Sequence, residues 1–392
     1  MLSDAKDIIQ QVLSPLSYDV FFDDFVGRRP ALVNAPNSHR NVLGGHSVKQ
    51  QLLKDFDRYA PTLTCHANAP KVPPPKARAV SDADAFYALI KEYFALGYTV
   101  RIPDVIALSE PLSLFTRALE KVLQTPVNVV AFWSAPGASA PVHHDEVDVI
   151  VIQLEGTKRW FISDTPTTFP NRWKKAGELP PAMPKYKTVD VKPGDFIYLP
   201  RGTAHTVEST SESIHLSIGF VPLTTRDVLN AALDHLSDLQ LPLRKDFGPR
   251  ADNLAGTETA DSTAEEVCEQ LQTLLTACQD KAFIDMALQR RRAKMILDLP
   301  KLSVSQPVPV VSLHSKVKHN PMAMSECIST ENIVDFTQPG EQILVHLGAK
   351  ESLDFIRNTR AFCIADVPGA IDNQVRVALV QRLVNSGFLQ VE

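Results

Sequence analysis

Apolar positions recur at helical spacing through the first third of the chain, at strand spacing through its middle, and at helical spacing again beyond residue 222. Ser3 and Asp4 can open a first helix carrying Ile8, Ile9, Val12 and Leu13, and Ser81 followed by DADAFYALIKEYFALG reads as a helix ended by Gly97. Residues 109–124 place Leu112, Leu114, Phe115, Leu119 and Leu123 on one stripe. Period two and β-branched content then predict strands near 127–134, 146–153, 158–163, 186–191, 196–199, 204–208 and 213–221. Turn signals such as Glu155-Gly156-Thr157 and Lys192-Pro193-Gly194-Asp195 separate them. Helices followed by short strands with frequent turns predict a sandwich or barrel with helical decoration.

After Pro222 the strand signal stops. Residues 224–240 read as a helix, and after a polar stretch, 244–262, a second begins at Ser262, with Glu265 completing a capping box. Val267, Leu271, Leu274, Leu275 and Cys278 form its apolar stripe, and a further helical segment ends in Gln289-Arg290-Arg291-Arg292. These stripes suit either a dimer interface or packing on the barrel. A Pro-rich linker, VSQPVPV, leads into a last unit that closes with a helix capped by Gly387 and a short strand. That ending suits a winged helix, but residues 301–392 hold 8 Lys+Arg against 9 Asp+Glu. A unit without net positive charge lacks the phosphate neutralisation that dominates DNA affinity, so direct DNA binding is not expected.

Composition narrows the classes further. The 392 residues are 44% hydrophobic and 22% charged, within the globular range, so disorder of the whole chain is excluded. A net charge of −5 argues against recruitment of nucleic acid by bulk charge. No apolar run is long enough for a membrane helix, and the first residues show no apolar signal core. Cys65, Cys268, Cys278, Cys327 and Cys363 form no CxxC pair and read as free buried thiols, which suits a cytoplasmic protein, or a nuclear one in a eukaryote.

The chemistry concentrates in PVHHDEVDVIVIQLEGTKRW and GDFIYLPRGTAHTVES. His143 and Asp145 are two apart, so a strand-like backbone points both side chains to one side. His205 follows the turn Pro200-Arg201-Gly202 on a strand placed to return beside them. Two imidazoles and one carboxylate on one side of a cation form the facial triad of non-haem iron(II) oxygenases, which leaves positions open for a co-substrate and dioxygen. The same ligands accept other divalent metals. His144 faces the opposite way, to the rim or surface. Oxygenases of this type use a chelating electron donor such as 2-oxoglutarate, whose far carboxylate needs a cation. Lys158 could carry an ammonium inward to it, or sit in solvent at a hairpin tip. Arg159 beside it faces oppositely.

At these residues, and in IHLSIGF and the N-terminal FFDDFVGRRPALV, the sequence resembles the JmjC oxygenases of the ribosomal-oxygenase group, cupin-like proteins that hydroxylate ribosomal proteins. The resemblance implies a mainly β fold with α elements. A JmjC double-stranded β-helix with N-terminal helices would occupy residues 1–222, a helical dimerisation region 223–299 and a winged-helix-like unit 300–392. It implies Fe(II) held by His143, Asp145 and His205, with 2-oxoglutarate as co-substrate beside O2. Its far carboxylate would be held by Lys158, with Ser134 and His215 lining its site. Members acting on arginine often carry Arg where this chain has Lys158, whereas Lys is more like the relatives acting on histidine. Val130 and Phe132 stand where the family often shows Asn or Tyr, with Asn128 slightly upstream.

The implied activity is hydroxylation of a side chain, arginine or histidine, in a ribosomal protein by a homodimer. The same chemistry on another peptide, such as a ribosomally made natural-product precursor, is the alternative. A metal-binding cupin that is not an oxygenase and a scaffold with a vestigial barrel are the rivals from other classes.

Overall fold

The computed structural model describes residues 2–68, 70–164, 182–245, 257–304 and 306–392, and the chain divides into two compact units, 1–222 and 223–392. In the first, β1 (Ala31–Val33), β2 (Thr64–His66), β3 (Thr99–Ile102), β4 (Val127–Ser134), β5 (Asp148–Glu155), β8 (Phe196–Leu199) and β10 (Ser213–Phe220) form one antiparallel sheet in the order β1-β8-β5-β10-β4-β3-β2. A second sheet has the order β7-β6-β9, from β6 (Lys158–Ile162), β7 (Lys187–Val191) and β9 (His205–Ser209).

Strand alternation gives the large sheet two different faces. Ile102, Ala131, Trp133, Ile150, Leu216 and Ile218 are buried on one, with Ile9, Phe86, Leu89, Phe115 and Leu119 of the N-terminal helices in the same cluster. The opposite face sends Val149, Val151, Ile197 and Leu199 into a separate cluster with Trp160, Ile162 and Val191 of the small sheet. The two sheets therefore sandwich an apolar layer at one end and leave room between them at the other.

The segment FFDDFVG is tied to the barrel by the Tyr198 hydroxyl, which accepts from the Gly27 N–H at 2.7 Å and donates to the Asp148 carboxylate. Asp148 also accepts from the Arg201 N–H at 3.0 Å, holding the turn before β9. Gly156, at φ +64°, makes the turn from β5 into β6, where an added Cβ would lie 2.0 Å from the Glu212 carbonyl oxygen.

Several boundaries differ from the sequence reading. The helix Ala83–Ala95 is capped by Asp82, which accepts from the Ala85 N–H at 2.8 Å, while Ser81 only supports Asp82. A carboxylate is the stronger acceptor there. Strand β5 begins at Asp148, later than expected, because the chain before it is irregular.

The second unit opens with the helices Thr225–Leu239, Thr257–Ala277 and Lys281–Asp298. The middle one starts at Thr257, so Ser262 lies inside it and does not cap it; the rest of the polar stretch, 246–256, and Ser305 of the linker lie outside the described residues. The third runs past Arg292 to Asp298, because Met295 and Ile296 continue its buried face. Beyond it lie sheets β15-β11-β16 and β12-β13-β14, from β11 (Lys316–His319), β12 (Glu326–Ser329), β13 (Ile333–Gln338), β14 (Glu341–His346), β15 (Ala361–Cys363) and β16 (Leu389–Val391). The closing helix is Asn373–Asn385, followed by Gly387 at φ +79° and β16.

All five cysteines are free, but only Cys327 is buried and Cys268 is exposed. The expectation of buried thiols fails for the others because their helix and strand positions face partly outward. Among the described residues no helix is long and apolar enough to cross a membrane.

Candidate metal centre

His143 and His205 face each other across a one-residue antiparallel bridge. The His143 N–H donates to the His205 carbonyl at 3.0 Å, and the His205 N–H returns the bond at 2.8 Å. Asp145 is held by its carbonyl, which accepts from Gly202 N–H at 2.9 Å. The turn Pro200-Arg201-Gly202 thus fixes both parts of the motif. Ligand atoms of His143, Asp145 and His205 all lie within 4.8 Å of one another, and His205 Nε2 is 3.6 Å from Asp145 Oδ2.

The donor chemistry fits a divalent cation. His143 Nδ1 lies 2.8 Å from the Pro141 carbonyl oxygen, and His205 Nδ1 lies 2.9 Å from that of Thr203. A carbonyl only accepts, so each Nδ1 carries the proton and each Nε2 keeps a lone pair for the metal. Burial pushes the His205 imidazole down to about 4, against the pull of Asp145, so it is neutral at pH 7. Trp160 stacks on it at 5.7 Å between ring centroids. His144 is half-buried and lies outside the cavity lining, as its alternation requires.

The triad lines a cavity of about 400 Å³ between the sheets, within the range of small-ligand sites. Lys158, Ser134 and His215 line the same cavity. Strand β6 pairs with β9, placing Lys158 opposite Ser209 and Ile162 opposite His205. Lys158 points inward and is 1% exposed, whereas Arg159 points outward to an exposed ion pair with Asp190 at 2.7 Å. Lys158 Nζ donates to Ser134 Oγ at 2.8 Å, and that hydroxyl lies 3.0 Å from Thr99 Oγ1. Among the described residues Lys158 forms no ion pair, and burial alone pushes its ammonium down to about 7. His215 stacks on Phe132, ring centroids 4.9 Å apart and planes 8° apart, with its buried Nδ1 unpartnered. Burial holds it well below the ordinary imidazole value.

Among the cavity residues that escaped the sequence reading are His66, Thr99, Arg101 and Trp160. Trp160 was legible in principle, being two residues from Lys158 on the same strand face. His66, Thr99 and Arg101 stand on β2 and β3, which are three and four residues long and too short to show a period.

The geometry sets two imidazoles and a carboxylate at the edge of a cavity between two facing antiparallel sheets. Residues 108–228 match the family model described as JmjC domain, and the chain is similar to proteins named ribosomal oxygenases. It is 23% identical over 316 residues to the bifunctional lysine-specific demethylase and histidyl-hydroxylase NO66 of Dictyostelium discoideum, covering 75% of this chain and 60% of that protein. It is 26% identical over 226 residues to ribosomal oxygenase 2 of Mus musculus, covering 54% and 47%. The chain thus spans about half to three-fifths of the length of these relatives. The fold is shared with Escherichia coli YcfD at a TM-score of 0.53 and 16% identity, over 96% of this chain and 98% of the other. A structure of YcfD, a ribosomal oxygenase, with cobalt and 2-oxoglutarate matches with a TM-score of 0.51 over 96% and 99% at 16% identity.

Proposed function

We propose that the chain is an Fe(II)- and 2-oxoglutarate-dependent oxygenase that hydroxylates a side chain in a protein, with a ribosomal protein as its target. The observation that carries this reading is Lys158: a buried ammonium without an acid partner among the described residues, in one cavity with the triad of His143, Asp145 and His205. A cupin that merely binds metal has no use for so unfavourable a group, whereas a dicarboxylate co-substrate supplies its missing counter-charge. The relatives named ribosomal oxygenases, and the YcfD structure titled with cobalt and 2-oxoglutarate, support the co-substrate and the target.

His143 and His205 would offer Nε2 and Asp145 a carboxylate oxygen to one side of the iron, with the other side open to the cavity. When bound, iron and 2-oxoglutarate supply the oxidising chemistry: one oxygen atom of O2 goes to succinate, formed with CO2, and the other to the substrate carbon. Lys158 and Ser134 hold the far carboxylate of the co-substrate by charge-assisted hydrogen bonds. His215, Phe132 and Trp160 wall the site and limit water. Conversion of 2-oxoglutarate to succinate, coupled to a +16 Da change in a ribosomal protein, tests the reading. The search compares ribosomal proteins from cells with and without the gene. Turnover absent with iron and every ribosomal protein overturns it.

The chain is also proposed to act as a homodimer through the helices of the second unit. Ala232, Leu236 and Leu274 are buried there, while Leu229, Leu271 and Leu275 on the same helices are more than half exposed. Such a row of exposed leucines is suited to a second copy.

A further inference from the structure

Among the described residues, three side chains lining the cavity carry a formal charge: Asp145, Lys158 and Arg101. On the proposed function, Asp145 is taken by the metal and Lys158 by the co-substrate. Arg101 is left for whatever enters next.

The sheet places it there by register. Arg101 pairs with Phe132 on β4, and Phe132 pairs with His215 on β10, so the three form a row across the floor of the cavity. Thr99 and Ser134, the hydroxyls beside Lys158, lie one same-face step along the strands, about 7 Å away. Arg101 is therefore next to the co-substrate end without belonging to it.

The guanidinium is held but not used up. Its carbon lies 5.4 Å from the Phe132 ring centroid, a cation–π contact that consumes no N–H donor. Among the described residues its buried Nε has no hydrogen-bond partner and the group forms no ion pair. A buried donor in this state is costly unless a ligand satisfies it.

We propose that Arg101 reads the target side chain. It selects a residue presenting a hydrogen-bond acceptor (a neutral imidazole, a carboxamide or a carboxylate) and rejects arginine and lysine. The inference rests on the hydroxylase reading and narrows its substrate class. A guanidinium or ammonium target would meet a fixed like charge, and among the described residues no lining carboxylate besides Asp145 is there to pair with it. Desolvation adds to that cost, because Val130, Phe132, Val149 and Val151 line the floor, with Asn128 and Ser217 as neutral polar neighbours. An acceptor atom instead completes the idle N–H donors of a planar fork.

The test uses the full chain with Fe(II), 2-oxoglutarate, O2 and a pool of peptides with random flanks around a central His, Asn, Asp, Arg or Lys. Products of +16 Da are sorted by central residue, and the ratio of acceptor-bearing to cationic targets is taken within each variant, so overall activity cancels. The expected result is hydroxylation at His, Asn or Asp and none at Arg or Lys. R101E should move the ratio toward Arg and Lys by about tenfold or more, R101Q in the same direction by less, and R101K should keep the original order. R101Q carries the test should R101E not fold.

Hydroxylation of Arg or Lys by the unaltered protein overturns the selection and leaves the oxygenase reading standing. So does a ratio unmoved by R101E and R101Q with a raised KM for 2-oxoglutarate, which would assign Arg101 to the co-substrate. Failure to hydroxylate any member of the pool overturns the hydroxylase reading, and the selection with it.

Discussion

Lys158 Nζ sits 2.8 Å from Ser134 Oγ, an ammonium whose one hydrogen-bond partner among the described residues is a neutral hydroxyl. Burial holds its ionisation down from 10.5 to about 7. The protein keeps a charge where it opposes folding, and that opposition is measurable.

Lys158→Met should stabilise the protein without ligands, on the order of a few kcal/mol, while abolishing 2-oxoglutarate binding. The folded value lies below the unfolded one, so the cost of the charge is complete below pH 7. It falls as pH rises from about 7 toward 10.5. The gain from Lys158→Met should therefore be largest below pH 7 and shrink above it. Denaturant titrations of both proteins at several pH values check this.

Affinity for 2-oxoglutarate should depend on pH in the corresponding sense. The co-substrate is a dianion throughout this range and needs the protonated amine. Binding is strongest below about pH 7 and weakens above it, by up to about tenfold per pH unit. Calorimetry in buffers of differing ionisation enthalpy should show proton uptake on binding above pH 7. A flat profile would mean that Lys158 does not meet the dicarboxylate.

His143→Ala and His205→Ala should each lower cobalt(II) affinity by at least about a hundredfold while the protein still folds, with the larger fall in melting temperature for His205→Ala, whose buried ring stacks on Trp160. The backbone bridge between these residues needs no imidazole. The cobalt absorption spectrum reads the first effect and thermal unfolding the second.

Gly156→Ala should cost about 2 kcal/mol or more, since the new Cβ meets the Glu212 carbonyl and φ is +64°. The same turn delivers Lys158, so the KM for 2-oxoglutarate should rise along with the loss of thermal stability.

The triad was legible in the sequence because its signals are local: an apolar strand, a Pro-Gly-Asp turn and the spacing of His143 and Asp145 on one face. Lys158 and Arg159 were separable by period two alone, and the structure turns them opposite ways. Ser134 and His215 reach the same cavity because β4 and β10 pair along their full length. The side of the cavity formed by β2 and β3 was hidden. His66, Thr99 and Arg101 come from short strands whose identity depends on pairing with β4, a tertiary fact that no window of sequence contains. The start of the helix at Thr257 was masked for a related reason, since a serine followed by a glutamate satisfies the capping pattern inside a helix as well as at its end.

The reciprocal backbone bonds between His143 and His205 have one more effect. They fix the spacing of these two positions through the main chain alone, so side-chain changes around the centre leave the frame of the pair in place.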